Sequence, residues 1–111
     1  MIYKAVDQRA GGRCEICGRR RNLTRHHILG GRGRRKQCER PETVILLCDR
    51  CHGHSTQEHE RFLHALRCML QSWYFRQGYT EEETRDLMGG KLYLVDSEIA
   101  KGLRCPWMEG R

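Results

Sequence analysis

Two Cys-x-x-Cys pairs, Cys14/Cys17 and Cys48/Cys51, bracket the dipeptide His26-His27, and His52 follows the last cysteine directly. Four thiolates at that spacing can close a tetrahedral structural zinc site. Imidazole suits other work, since it takes up a proton near neutral pH and ligates divalent ions through a neutral nitrogen. The chain therefore divides its donors: four thiols for structure, and His26, His27 and His52 for chemistry. His59, seven residues beyond His52, returns to the same helical face and is a further candidate for contact with metal or phosphate. His54 points elsewhere on a regular helix, and His64 reads as a surface or core-edge residue. Cys38, Cys68 and Cys105 fall outside the paired spacing and read as small buried hydrophobes or incidental thiols.

Around these donors the charge is uneven. The 111 residues carry a formal net charge of +7, and the cations gather where the motifs are. Residues 1 to 52 hold thirteen Lys/Arg against five Asp/Glu, and the remainder hold eight against nine. Arg19, Arg20, Arg21 and Arg25 lie between the first knuckle and the histidine pair, and Arg32, Arg34, Arg35 and Lys36 form a second run just after it. Guanidinium groups bind phosphates bidentately and release counterions from nucleic acid, so DNA is the expected partner. A solvated charged face is the plainer reading of the same residues. No apolar run approaches the ~20 residues that span a membrane. Seven cysteines, an odd number, with no secretory signal ahead of the first motif, suit metal-bound thiolates in a reducing, cytoplasmic setting.

The elements that must hold these residues follow from pattern and punctuation. The length suits one domain, with a core small enough for a metal staple to matter. Residues 1 to 10 suggest a helical turn or two before Gly11-Gly12. Leu23 to Ile28 reads as a short strand ending on the histidines, broken by Gly30-Gly31 and Gly33, so the basic segment from Arg32 to Glu39 is a loop. Val44-Ile45-Leu46-Leu47, β-branched and apolar, reads as a buried second strand that delivers Cys48. The two strands are expected to pair as a hairpin. Phe62, Leu66, Met69 or Leu70, and Trp73 then recur at helical steps, starting from Asp49 or restarting near Gln57 and stopping at Gly78. Thr80 and Glu83 resemble a capping box that opens a shorter helix to Met88. Lys91 to Val95 suggests a terminal strand, and Ser97 to Lys101 a last helical turn. Trp73-Tyr74-Phe75 reads as packing of the long helix, with a dimer surface as the alternative.

Read together, the segments Cys14-Glu-Ile-Cys17, His26-His27-Ile28 and Leu46-Leu47-Cys48-Asp-Arg-Cys51-His52 resemble the HNH endonuclease family, most of all its small stand-alone phage and prophage members. The resemblance covers about residues 14 to 60. It implies an α+β fold with a zinc-stabilised ββα-metal core, the His-Me finger, in a treble-clef-like arrangement, followed by a helical extension over 61–111. It also implies metal-dependent hydrolysis of DNA. His27 would be the general base, and His26 and His52 would hold a catalytic magnesium, manganese or nickel ion, apart from the zinc on the four cysteines. Products would carry 5′-phosphates. Residues 79 to 111 would be an embellishment that tunes substrate choice, and two copies could pair to cut a duplex. The chain departs from the family at the central Asn, whose position is held by Thr43. A hydroxyl cannot reproduce the two-sided bridging of an amide, and Glu42 is an alternative neighbour for that task.

Two other readings use the same residues. A catalytically silent zinc module could bind DNA, or dock onto recombination or packaging proteins, through the basic face; Thr43 favours it and the three histidines oppose it. Alternatively, the cysteines and spare histidines could form a purely structural two-metal site.

Overall fold

A computed structural model describes residues 2–29, 39–53, 55–93 and 103–108. The elements run as helix α1 (Ile2–Ala10), strand β1 (Thr24–His27), a 3-10 turn (Pro41–Thr43), strand β2 (Val44–Leu47), helix α2 (Asp49–His52), helix α3 (Thr56–Arg76) and helix α4 (Glu81–Leu87). The class is α+β, with one two-stranded antiparallel sheet. The expected hairpin is present, although β1 is shorter than the Leu23 to Ile28 run. The terminal strand expected from Lys91 is absent over residues 91–93. The Gln71 side chain takes a neighbouring strand's place there: its amide accepts from the Tyr93 N–H at 2.7 Å and donates to the Tyr93 carbonyl at 2.9 Å. Val95, the Ser97 to Lys101 turn, the basic run Arg32 to Lys36, Cys38 and His54 lie outside the described residues.

Register decides which residue faces what. Thr24 opposes Leu47, Arg25 opposes Leu46, His26 opposes Ile45 and His27 opposes Val44. Directly paired residues share a face, and successive residues alternate. Val44 and Leu46 accordingly pack with Val6 and Ala10 of α1. Ile45 and Leu47 turn the other way, to Leu63, Leu66, Leu70 and Tyr74 of α3 and to Trp107. Both faces of β2 are therefore covered, which is why it reads as an unbroken apolar run. His27 falls on the α1 side and His26 on the α3 side.

α3 begins at Ser55, whose hydroxyl accepts from the Glu58 N–H at 3.1 Å, and it passes uninterrupted through residue 60, where the sequence suggests that the core gives way to the extension. Its inward stripe is Leu63, Leu66, Leu70 and Tyr74, with Phe62, Met69 and Trp73 flanking and Phe75 exposed. Thr80 and Glu83 form the anticipated capping box of α4, with bonds of 3.1 and 2.9 Å. The 103–108 segment returns to the core, where the Trp107 indole N–H donates to the Glu42 carbonyl at 2.8 Å.

Two ionic clusters, one buried and one half-buried, tie the layers together. Glu15, inside the first Cys-x-x-Cys, has a fully buried carboxylate that receives the Arg9 guanidinium through two N–H groups and the Leu46 backbone N–H at 2.8 Å. Arg9 also donates to the carbonyls of Pro41 at 2.7 Å and Val44 at 2.6 Å. One arginine thus joins α1, the first knuckle, the 3-10 turn and β2. Arg40 does similar work on the opposite side, bonding Glu42, the Tyr74 hydroxyl and the Leu87 carbonyl, while Tyr74 donates to Glu42 at 2.8 Å.

Removing one member of a buried pair strands the other charge, which costs about 3–5 kcal/mol. Glu15→Ala should therefore lower stability by about that amount in urea titrations of zinc-saturated protein. A loss under about 1 kcal/mol would mean that the carbonyl contacts of Arg9 are sufficient without the carboxylate.

Candidate metal centre and histidine cluster

The first knuckle is a tight turn. Gly18, at φ +83°, donates its N–H to the Cys14 carbonyl at 2.9 Å, and Cys14 donates to the Arg19 carbonyl at 2.7 Å. The second knuckle is the step from β2 into α2, which carries Cys48 on the strand end and Cys51 in the short helix. The Sγ atoms of Cys14, Cys17, Cys48 and Cys51 all lie within 4.8 Å of one another. The Cys17 and Cys48 sulfurs are 3.5 Å apart, far beyond a disulfide and near the roughly 3.8 Å edge of a tetrahedron with 2.3 Å Zn–S bonds. The site fits zinc as the sequence expected.

The thiols interact strongly. Burial raises the Cys14 pKa, but backbone N–H groups of Cys17, Cys48 and Ile16 outweigh it and bring the value down to about 7. Burial, followed by the neighbouring sulfurs, pushes Cys51 up. A cluster in which one thiolate is favoured and the next resisted is suited to a cation that neutralises them together. Cys68 and Cys105, the other described cysteines, are buried.

A second group of donors lies on the α3 side of β1. The His26 ring centroid is 4.4 Å from that of His52 and 6.1 Å from that of His59, and His52 and His59 stack at 4.1 Å. Gly53 makes this possible: at φ +96° it turns the chain between α2 and α3, and a Cβ there would meet Glu58 Cβ and His59 N at 3.3 Å. The imidazoles of both helical histidines are oriented by backbone carbonyls. His59 Nδ1 donates to the His52 carbonyl at 3.1 Å, and His52 Nδ1 to the Gly53 carbonyl at 3.4 Å. A carbonyl only accepts, so in both rings Nε2 keeps the lone pair, the orientation metal-binding histidines commonly adopt. His26 Nε2 lies 2.6 Å from the Thr24 hydroxyl. Burial first, then His52, His59 and His27, lowers the His26 pKa to about 4, so it is neutral at physiological pH. Among the described residues, however, the four cysteines are the one group of three or more such donors whose ligand atoms converge within 4.8 Å. The imidazole nitrogens are clustered less tightly than the thiols.

His27, one residue along, faces α1. Its Nε2 is 3.1 Å from Glu39 Oε1 and 3.5 Å from the Tyr3 hydroxyl, which itself donates to Glu39 at 3.3 Å. The sequence points to neither neighbour. Its signal for them is weak: Glu39 is twelve residues further along the sequence, and Tyr3 is one aromatic residue in a short amphipathic helix. Thr43, expected beside His27, is fully buried, and its hydroxyl donates to the Arg40 carbonyl at 2.9 Å and accepts the Arg40 N–H at 3.1 Å. It closes the 3-10 turn, and its own carbonyl accepts the Ile28 N–H at 2.8 Å. Glu42 is engaged by Arg40 and Tyr74.

The described arginines are placed variously. Arg20 and Arg21 are exposed. Arg19 pairs with Asp49 at 2.9 Å, and Arg25 makes a bidentate pair with Asp7 while its guanidinium sits 5.1 Å above the Tyr3 ring. Both pairs are solvent-accessible and of the kind worth at most about 1 kcal/mol, so a phosphate could displace them. Each face of the sheet carries an open cavity, one lined by Tyr3, Arg25 and His27, the other by Asn22, His26, Asp49 and His52. No helix among the described residues is long and apolar enough to cross a membrane. Comparison with protein-family models, characterised proteins and solved structures finds no match to this chain.

A zinc site of four thiolates contributes about 10–16 kcal/mol at neutral pH, as much as the whole stability of a typical domain. Metal analysis should therefore give one zinc per chain, lost in Cys48→Ser, and chelation should abolish the cooperative thermal transition. A zinc-free protein that melts as the loaded one does would remove the metal from any structural role.

Proposed function

We propose that this protein is a metal-dependent DNA endonuclease of the HNH type, built on a zinc-stabilised ββα-metal core. The observation that carries the reading is the division of the histidine pair by the strand. His26 joins His52 and His59 on one face, while His27 stands on the other beside a carboxylate.

The residues divide the work accordingly. His27 takes the proton from a water aligned with the scissile phosphodiester bond. His26 and His52, with His59 as a third donor, hold a magnesium, manganese or nickel ion. That ion, when bound, supplies positive charge to the phosphorane-like transition state and the departing 3′ oxygen. Exposed Arg20 and Arg21, together with Arg19, Arg25 and the basic run Arg32, Arg34, Arg35 and Lys36, bind the phosphate backbone, which positions DNA without reading its sequence. Cleavage leaves 5′-phosphates.

A silent zinc module that binds DNA or a recombination or packaging partner is the second reading. What favours it is the use of the Thr43 hydroxyl on Arg40 and the looser convergence of the imidazole nitrogens.

Purified protein should nick supercoiled plasmid with magnesium, manganese or nickel, and EDTA should stop it. His27→Ala should abolish nicking while keeping its zinc and its fold. If wild type and variant both bind DNA and neither cuts with any of the metals, the silent module is correct. Neutralising Arg32, Arg34, Arg35 and Lys36 should weaken DNA binding and lower the salt slope by roughly 0.9 for each phosphate left without its cation; an unchanged slope would rule the run out as the phosphate-binding segment.

A further inference from the structure

Resting on the nuclease reading, we propose that Glu39 and Tyr3 position His27, performing for this chain the task that an amide performs elsewhere in the family. Three distances carry the proposal. Glu39 Oε1 lies 3.1 Å from His27 Nε2 and 3.3 Å from the Tyr3 hydroxyl, and that hydroxyl lies 3.5 Å from the same nitrogen.

An ionised carboxylate accepts and does not donate, so the contact requires the proton of neutral His27 to be on Nε2. The lone pair is then on Nδ1, the nitrogen through which the nuclease reading would have this ring act as base. As the proton of the attacking water arrives, the ring becomes a cation with the Glu39 carboxylate at its back, an arrangement that stabilises an imidazolium and fixes its ring plane. The step balances: one water proton moves to Nδ1 while the Nε2 proton stays in place, the hydroxide oxygen bonds to phosphorus, the P–O3′ bond breaks, and the departing 3′ alkoxide takes a proton from solvent.

Tyr3 holds the carboxylate in turn. Its O–H donates to Glu39, and its ring meets the His27 ring edge-on, with centroids 6.2 Å apart and planes at 77°. The other face of the assembly is braced by Arg25, which lies over the Tyr3 ring and pairs with Asp7 of α1. The His27 side chain retains 16% of its exposure and that of Glu39 35%, so the pair is shielded yet open to substrate.

The test compares wild type with Glu39→Ala, Glu39→Asp and Tyr3→Phe, all zinc-loaded, on one DNA substrate at one pH. Glu39→Ala should lower kcat by about 10²–10⁴-fold, the range a correctly held general base supplies, with KM changed less than about twofold; Glu39→Asp should recover part of the rate. Tyr3→Phe should fall between wild type and Glu39→Ala. In nuclear magnetic resonance spectra the His27 Nε2–H proton should be visible and shifted downfield in wild type and lost in Glu39→Ala. A merely structural role would move neither the kcat-to-KM split nor that resonance. If wild type cuts and Glu39→Ala cuts within about twofold of it, the positioning role is overturned and the nuclease reading stands. If wild type fails to cut with every metal supplied, the nuclease reading fails and takes this role of Glu39 with it.

Discussion

Two strands of four residues cannot hold themselves together in water, and the architecture depends on what grips this short sheet. α1 covers one face through Val6 and Ala10, α3 covers the other through Leu63, Leu66 and Leu70, and the cysteine cluster fastens the end where Cys48 leaves β2. The Arg9–Glu15 pair stitches these together from the side, because Glu15 belongs to the first knuckle and bonds the Leu46 N–H of β2. Each grip is modest in extent. Their convergence on the same two short strands is what holds the histidines at fixed orientations.

Much of this is legible in the sequence because local chemistry and tertiary role agree. Val44 to Leu47 is apolar and β-branched and is buried on both faces; Thr80 and Glu83 cap α4 as their spacing implies; the two Cys-x-x-Cys pairs come together. What escapes such a reading are side chains whose partners are far apart along the chain. Gln71 supplies Tyr93 with strand-like bonds, and no pattern in either segment announces it. Periodicity alone finds Leu66 and Leu70 at the centre of the α3 stripe and Phe62, Met69 and Trp73 at its partly buried edge, but not Leu63 and Tyr74, because the helix buries a broad face.

The histidine cluster is legible in part for the same reason. Types and spacing nominate His26, His52 and, less directly, His59, while their meeting depends on the left-handed turn at Gly53. The surroundings of His27 are barely legible. A residue at the Thr43 position draws attention by analogy, yet the 3-10 turn uses that hydroxyl on Arg40, and Glu39 and Tyr3 reach the ring.

The pleat of β1 also insulates. Tyr3, Asp7 and Glu39 surround one histidine, Thr24, His52 and His59 the other, and the backbone of a single strand separates the two sets. Substitutions among the contacts of one set leave the contacts of the other in place, although charge on His27 is still felt at His26. Register is the shared liability. A shift of one residue in β1 would exchange the faces of both histidines at once, so insertions and deletions within this strand meet a barrier that point substitutions do not.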